Sequence, residues 1–223
     1  MQNIFGLILA GVLVVIFLRT YVAQKRRKVA AADLLFAQIR DVLVTPTQTS
    51  STSLGSQRLD GFYKNNAVQV QTVTDTLATR KLPSLWLMVT VPTKLPVTAK
   101  LDMMLRSAGP TSFSNFDFLR NSIRLPSGFP EHAALRSDHE SGYANLKIVK
   151  NHIEFFANPR AKELLITPDG LRLVVQLAEA ERARYVVMRE ANFSDVQIDA
   201  ELVQNMIESL LALKVALEDH AAS

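Results

Sequence analysis

The sequence predicts an α+β fold: an N-terminal transmembrane helix with a helical extension, then a mostly antiparallel sheet domain with a short middle helix and a long C-terminal amphipathic helix. Three observations predict it. Residues 4–18, IFGLILAGVLVVIFL, carry no charge. Apolar residues recur with period two through much of 68–105, the signature of strands. Leu202, Met206, Ile207, Leu210, Leu213 and Leu217 then recur at helical spacing near the end. The expected organisation is 1–24 as anchor, 25–44 as basic collar and juxtamembrane helix, 45–56 as Ser/Thr-rich linker and 57–223 as a cytoplasmic α+β domain.

The apolar run is short for a span. A helix rises 1.5 Å per residue, so 4–18 covers roughly 22 Å of a hydrocarbon layer ~30 Å thick. Extension to Ala23 closes the gap. Arg19 then lies in the last turn, where its stem carries the guanidinium to the headgroups, and Tyr21 suits the interface. A cleaved signal peptide needs basic residues before the apolar run; here Lys25, Arg26, Arg27 and Lys28 follow it. Basic flanks stay in the cytoplasm, which predicts an outward N-terminus and an inward domain.

Charge agrees with that placement. The chain has 25 Lys+Arg against 21 Asp+Glu and a pI near 9.4. Arg19 and residues 25–28 supply five of the basic groups before the first acid, Asp33. The remainder is close to neutral, so the basic pI belongs to the collar. It points to anionic lipid headgroups and away from nucleic acid. The sequence has no cysteine, which excludes thiol chemistry and permits a cytoplasmic domain.

Helical spacing continues after the collar through Leu35, Phe36, Ile39 and Leu43, and Pro46 stops it. One face of this segment is too apolar to stand in water, which makes these four residues candidate contacts for the domain itself, a partner or a second copy. Residues 45–56 read as a linker because Ser and Thr dominate. Val68–Thr74 reads as a strand. Leu85, Leu87, Val89 and Val91 share one strand face. Val97–Leu105 alternates as a half-buried strand with Asp102 on its polar side. Leu146–Lys150 and Ile153–Phe156 read as a hairpin about Asn151-His152. Asn158-Pro159 reads as a helix start, with the helix running to Ile166. Thr167-Pro168-Asp169-Gly170 is a turn. Leu171–Leu177 and Arg184–Arg189 read as a second hairpin. The final helix takes its cap from Ser194 with Gln197 or from Asp199.

The segments LPSLWLMVTVP (82–92), F-x-F (116–118) and FFANPRAKELL (155–165), together with the anchor and the closing helix, carry a resemblance. The chain resembles bacterial single-span, membrane-anchored proteins of unknown function with a cytoplasmic α+β domain, over about residues 80–217. That resemblance implies a meandering sheet and a bacterial inner-membrane location, and it implies no catalytic residues.

Candidate chemistry is sparse. Glu131, His132, Asp138, His139 and Glu140 gather potential metal ligands within ten residues, but no H-x-x-x-H pair sets two imidazoles on one helix face. The surroundings read as a solvated loop. No G-x-S-x-G, G-x-G-x-x-G or G-x-x-x-x-G-K-[ST] occurs. Gly6 and Gly11 lie five apart, so a small-xxx-small helix contact is not spelled out. Trp86, the lone tryptophan, falls on the strand face opposite Leu85, Leu87 and Val89, either as a satellite core residue or as an exposed anchor for a partner. The expectation is no enzyme, no cofactor and no metal: an accessory or scaffolding subunit bracing other inner-membrane proteins of a respiratory, photosynthetic, transport or secretion complex. The alternative is a membrane-tethered sensor or binding domain.

Overall fold

The computed structural model describes residues 13–22, 34–50, 57–75, 82–107, 109–140, 146–182, 185, 191, 193 and 195–222. Nine strands form one sheet: β1 (Val44–Ser50), β2 (Gln57–Tyr63), β3 (Asn66–Asp75), β4 (Ser84–Pro92), β5 (Leu101–Leu105), β6 (Asn121–Ile123), β7 (Ala133–Ser137), β8 (Ala161–Thr167) and β9 (Gly170–Glu179). Their order is β1-β2-β3-β4-β9-β8-β5-β7-β6, and every neighbouring pair is antiparallel. Among the described residues, the helices of five residues or more are α1 (residues 13–22), α2 (Leu146–Lys150) and α3 (Ala200–Ala222).

The first four strands meander because each connection is local. Lys64 and Asn65 both take positive φ (46° and 63°) between β2 and β3, the conformation that a two-residue hairpin with right-handed strand twist requires. β4 pairs with β9, and β5 joins the sheet beyond β8. The Pro92–Pro96 stretch therefore leads away from β4 rather than turning it back on itself.

α3 forms as its stripe predicts. The Asp199 carboxylate accepts from the Glu201 backbone N–H at 3.0 Å, capping the first turn. Val203, Met206, Ile207, Leu210, Leu213 and Leu217 are all buried against β4 and β9. Leu87, Val89, Leu173 and Val175 meet them from the sheet.

Several expectations are corrected. Leu35, Phe36, Ile39 and Leu43 are buried in this same core, so the domain's own helix and sheet cover them and they offer no surface to a partner. The Ile198 N–H donates to the Leu35 carbonyl at 3.3 Å, which pins this segment to the approach to α3. No helix runs to Val44. Among the described residues, 34–35 are helical, a 3-10 turn follows at Ala37–Ile39, and four turn and bend residues lead to β1.

Residues 45–50 are not linker but edge strand, paired with β2, and 51–56 lie outside the described residues. Pro46 is tolerated because the register shifts between Val44 and Thr47, where no ladder donor is needed. The expected hairpin over 146–156 is instead α2 followed by a 3-10 turn at Glu154–Ala157. The expected helix over 158–166 is β8. The short middle helix exists, but at Leu146–Lys150. The Thr167–Gly170 turn joins β8 to β9; the partner expected for 171–177 at 184–189 falls almost wholly outside the described residues. β5 begins at Leu101, and both its faces are buried, Asp102 included.

Residues 13–22 are helical, and Leu13 to Leu18 and Tyr21 are each more than half exposed. The rest of the expected span, residues 1–12 and 23–24, lies outside the described residues. Among the described residues no helix is long and apolar enough to cross a membrane.

Candidate functional site

The sheet has a second buried face. Opposite α3, residues 109–120 fold Phe113 and Phe116 over Trp86, Met88, Met104 and Val174. The Trp86 and Phe113 rings lie 4.8 Å apart, tilted by 47°, and the Arg136 guanidinium sits 5.1 Å from the Phe116 ring centre. Trp86, named as a possible partner contact, is thus a satellite core residue, 9% exposed. Its Nε1–H is buried with no hydrogen-bond acceptor among the described residues.

Beside this cluster opens a cleft of about 450 Å³. Its floor is built by sheet register. Asp75, Ser84 and Glu179 form one cross-strand row over β3, β4 and β9, and Trp86 and Gln176 are paired in the next. The Gln176 amide donates to Ser84 Oγ at 3.0 Å. The opposite wall is basic: Arg106 follows β5, and Arg160 and Lys162 stand at the start of β8. Gly109, Pro110 and Thr111 close one side.

Two β-bulges flank this floor, one between Leu85 and Trp86 against β9 and one between Ala161 and Glu163 against β9. Each breaks the alternation and re-aims nearby side chains, among them Lys162. Arg106 takes φ +47°. Its Nη2 donates to the Pro159 and Ala161 carbonyls at 2.9 and 3.2 Å. Lys162 Nζ reciprocates onto the Leu105 and Arg106 carbonyls at 2.7 and 2.9 Å and lies 6.0 Å from the Trp86 ring centre.

A buried ionic cluster lies on the same sheet face outside the cleft lining. Arg172 donates to Glu163 Oε2 through Nη2 at 2.9 Å and Nε at 3.2 Å. Asp102 stands beside Glu163 and accepts from Ser114 Oγ at 3.5 Å. Burial, and then the neighbouring Glu163 charge, push the Asp102 carboxyl up to about 9, with Arg172 pulling the other way. Asp102 therefore holds its proton at neutral pH. That proton gives a hydrogen bond between the two carboxyl groups, whose Oδ1 and Oε1 atoms otherwise have no partner.

The other sequence candidates scatter. Glu131 and His132 precede β7 and Asp138, His139 and Glu140 follow it, so the expected loop is a strand. The five residues of β7 separate His132 from His139. Among the described residues no three His, Cys, Asp or Glu side chains gather to hold a metal. Arg19 and Tyr21 are exposed on α1; Lys25, Arg26, Arg27 and Lys28 lie outside the described residues. Sequence reasoning missed Arg106, Arg160, Lys162, Gln176 and Glu163. The available signal was a charged residue at an inward strand position, as in LDMML and AKELLI.

No protein-family model matches the chain. No curated protein matches it either. Among solved structures it is similar to the mycobacterial trehalose monomycolate transport factor A, TtfA, with 8% identity and a TM-score of 0.47 over 84% of this chain and 94% of that one. A likeness at this level carries no argument about role.

Proposed function

We propose that the chain is a non-enzymatic accessory or scaffolding subunit anchored in the bacterial inner membrane, its domain in the cytoplasm, bracing other membrane proteins from that side. The observation that carries this reading is the exposure of α1: Leu13, Val14, Val15, Ile16, Phe17 and Leu18 point apolar side chains outward on every side of the helix. Water is an unfavourable surround for such a surface, and lipid or another span is a favourable one. Thr20 fits that setting, since its hydroxyl donates back to the Ile16 and Phe17 carbonyls at 3.0 and 2.9 Å and leaves no unsatisfied donor. The basic residues that follow would sit among anionic headgroups.

A second exposed feature supports a partner. Val44 and Phe62 are paired across β1 and β2 and are 65% and 50% exposed, an apolar pair at the edge of the sheet. The test is purification of the full chain in a mild detergent with quantitative mass spectrometry. Other membrane proteins in stoichiometric amounts, reduced by Phe62→Ser, support a scaffold; a lone monomer contradicts it. The cleft favours a second reading, a membrane-tethered sensor or binding domain.

A further inference from the structure

The geometry points to the cleft as a binding site for a small phosphorylated polyol, its phosphate against Arg106, Arg160 and Lys162 and its hydroxyls toward Ser84, Gln176 and Glu179. This inference rests on the second reading and names its ligand class; it stands apart from the anchor.

The volume, about 450 Å³, is that of a small-molecule site. The basic wall is built rather than incidental. Arg106 and Lys162 each hold carbonyl oxygens of the other's strand, which fixes both cations in place without neutralising either through those contacts. A guanidinium so held still has donors to spend. Arg160 makes no ion pair with a described residue and is exposed at the rim. Arg106 holds a left-handed φ that a non-glycine residue adopts at a cost, and such strain gathers at binding sites.

The far end decides between a plain anion and a polyol phosphate. Asp75 and Glu179 stand there with Ser84, one cross-strand row beyond the Trp86–Gln176 pair, where the Gln176 N–H donates to the Arg160 carbonyl. Carboxylates repel a second anionic group and accept hydrogen bonds from hydroxyls. Trp86, which lines the floor, is more than nine-tenths buried, and its Nε1–H has no acceptor among the described residues. A ligand with a phosphate at one end and hydroxyls at the other matches this polarity.

Trp86 is the sole tryptophan, so its emission reports the cleft directly. The full chain is titrated in maltoside micelles and phosphate-free buffer with glycerol phosphate, inorganic phosphate and glycerol, and in mixed micelles containing phosphatidylglycerol. The expected result is a saturable change with glycerol phosphate, a weaker one with inorganic phosphate and none with glycerol. Arg160→Gln should weaken binding about tenfold, as loss of a charge-assisted pair does, while Arg120→Gln, outside the cleft, should not. Arg160 is substituted because Arg106 also ties β5 to β8. A response to phosphatidylglycerol alone keeps the site and makes the phosphate a lipid headgroup's. Silence toward every phosphate, or equal binding by Arg160→Gln, overturns the proposal. A response to glycerol alone overturns the phosphate assignment and leaves the binding-domain reading in place.

Discussion

Asp102 and Glu163 put two carboxyl groups side by side where the protein is 1% and 0% exposed, with Arg172 as the cation that meets Glu163. Two negative charges there would repel in a medium that screens poorly. A proton on Asp102 removes one charge and supplies a donor. The consequence for stability has a definite sign. The folded protein binds this proton up to about pH 9, against an ordinary carboxyl value of 3.8, so between these limits the folded state holds more protons than the unfolded one. Stability contributed through Asp102 is therefore greatest in acid and falls as pH rises from about 4 through about 9. Asp102→Asn mimics the protonated acid. We predict that it raises stability at pH 8 by up to roughly 5 kcal/mol, because Asn need not take up a proton on folding, and that its advantage vanishes near pH 4. Thermal melts of the full chain across that range check this; a variant that follows the wild-type pH slope contradicts it. In the sequence Asp102 reads as the polar face of a half-buried strand, because nothing local reveals that Phe113 and Phe116 come to cover that face.

At the scale of elements, legibility tracks length and regularity. α3 is readable because its apolar spacing persists from Leu202 to Leu217, about four turns, and β4 because Leu85, Leu87, Val89 and Val91 hold one face. α2, only five residues long with Ile148 and Val149 inside it, offers neither period enough to separate helix from strand. β8 carries a helix-start signature in Asn158-Pro159, and the bulge at Ala161–Glu163 breaks its alternation. Asn158 does cap, but a turn: its carboxamide oxygen accepts from the Arg160 N–H at 2.9 Å. β1 has no covered face of its own, so Thr and Ser dominate it and it reads as linker. For α3 the prediction is quantitative. Leu210 is fully buried between helix and sheet, and Leu210→Ala should destabilise the protein by about 2–5 kcal/mol through the cavity it leaves. Denaturant unfolding measures it, and a change near zero would mean that the helix is not clamped to β4 and β9.

Across the whole molecule, the sequence outlined an α+β domain following an apolar, basic-flanked segment, yet it left the cleft invisible. The cleft's polar residues come from β3, β4, β8, β9 and the end of β5, more than a hundred residues apart in the chain, and only the sheet order unites them. Of its lining residues, Trp86 alone stands out in the sequence, as the sole tryptophan. The proposed topology makes its own prediction: the chain has no cysteine, so Ala212→Cys on the exposed side of α3 places one thiol on the domain. A membrane-impermeant maleimide should label it only after the cells are permeabilised; ready labelling of intact cells would reverse the orientation. The most direct test of the anchored reading is alkaline carbonate extraction of membranes from cells carrying the full chain or its Val15→Asp/Phe17→Asp variant. The account predicts that the full chain stays in the membrane pellet and that the doubly charged variant moves to the supernatant. Release of the unaltered chain as readily as the variant would contradict it.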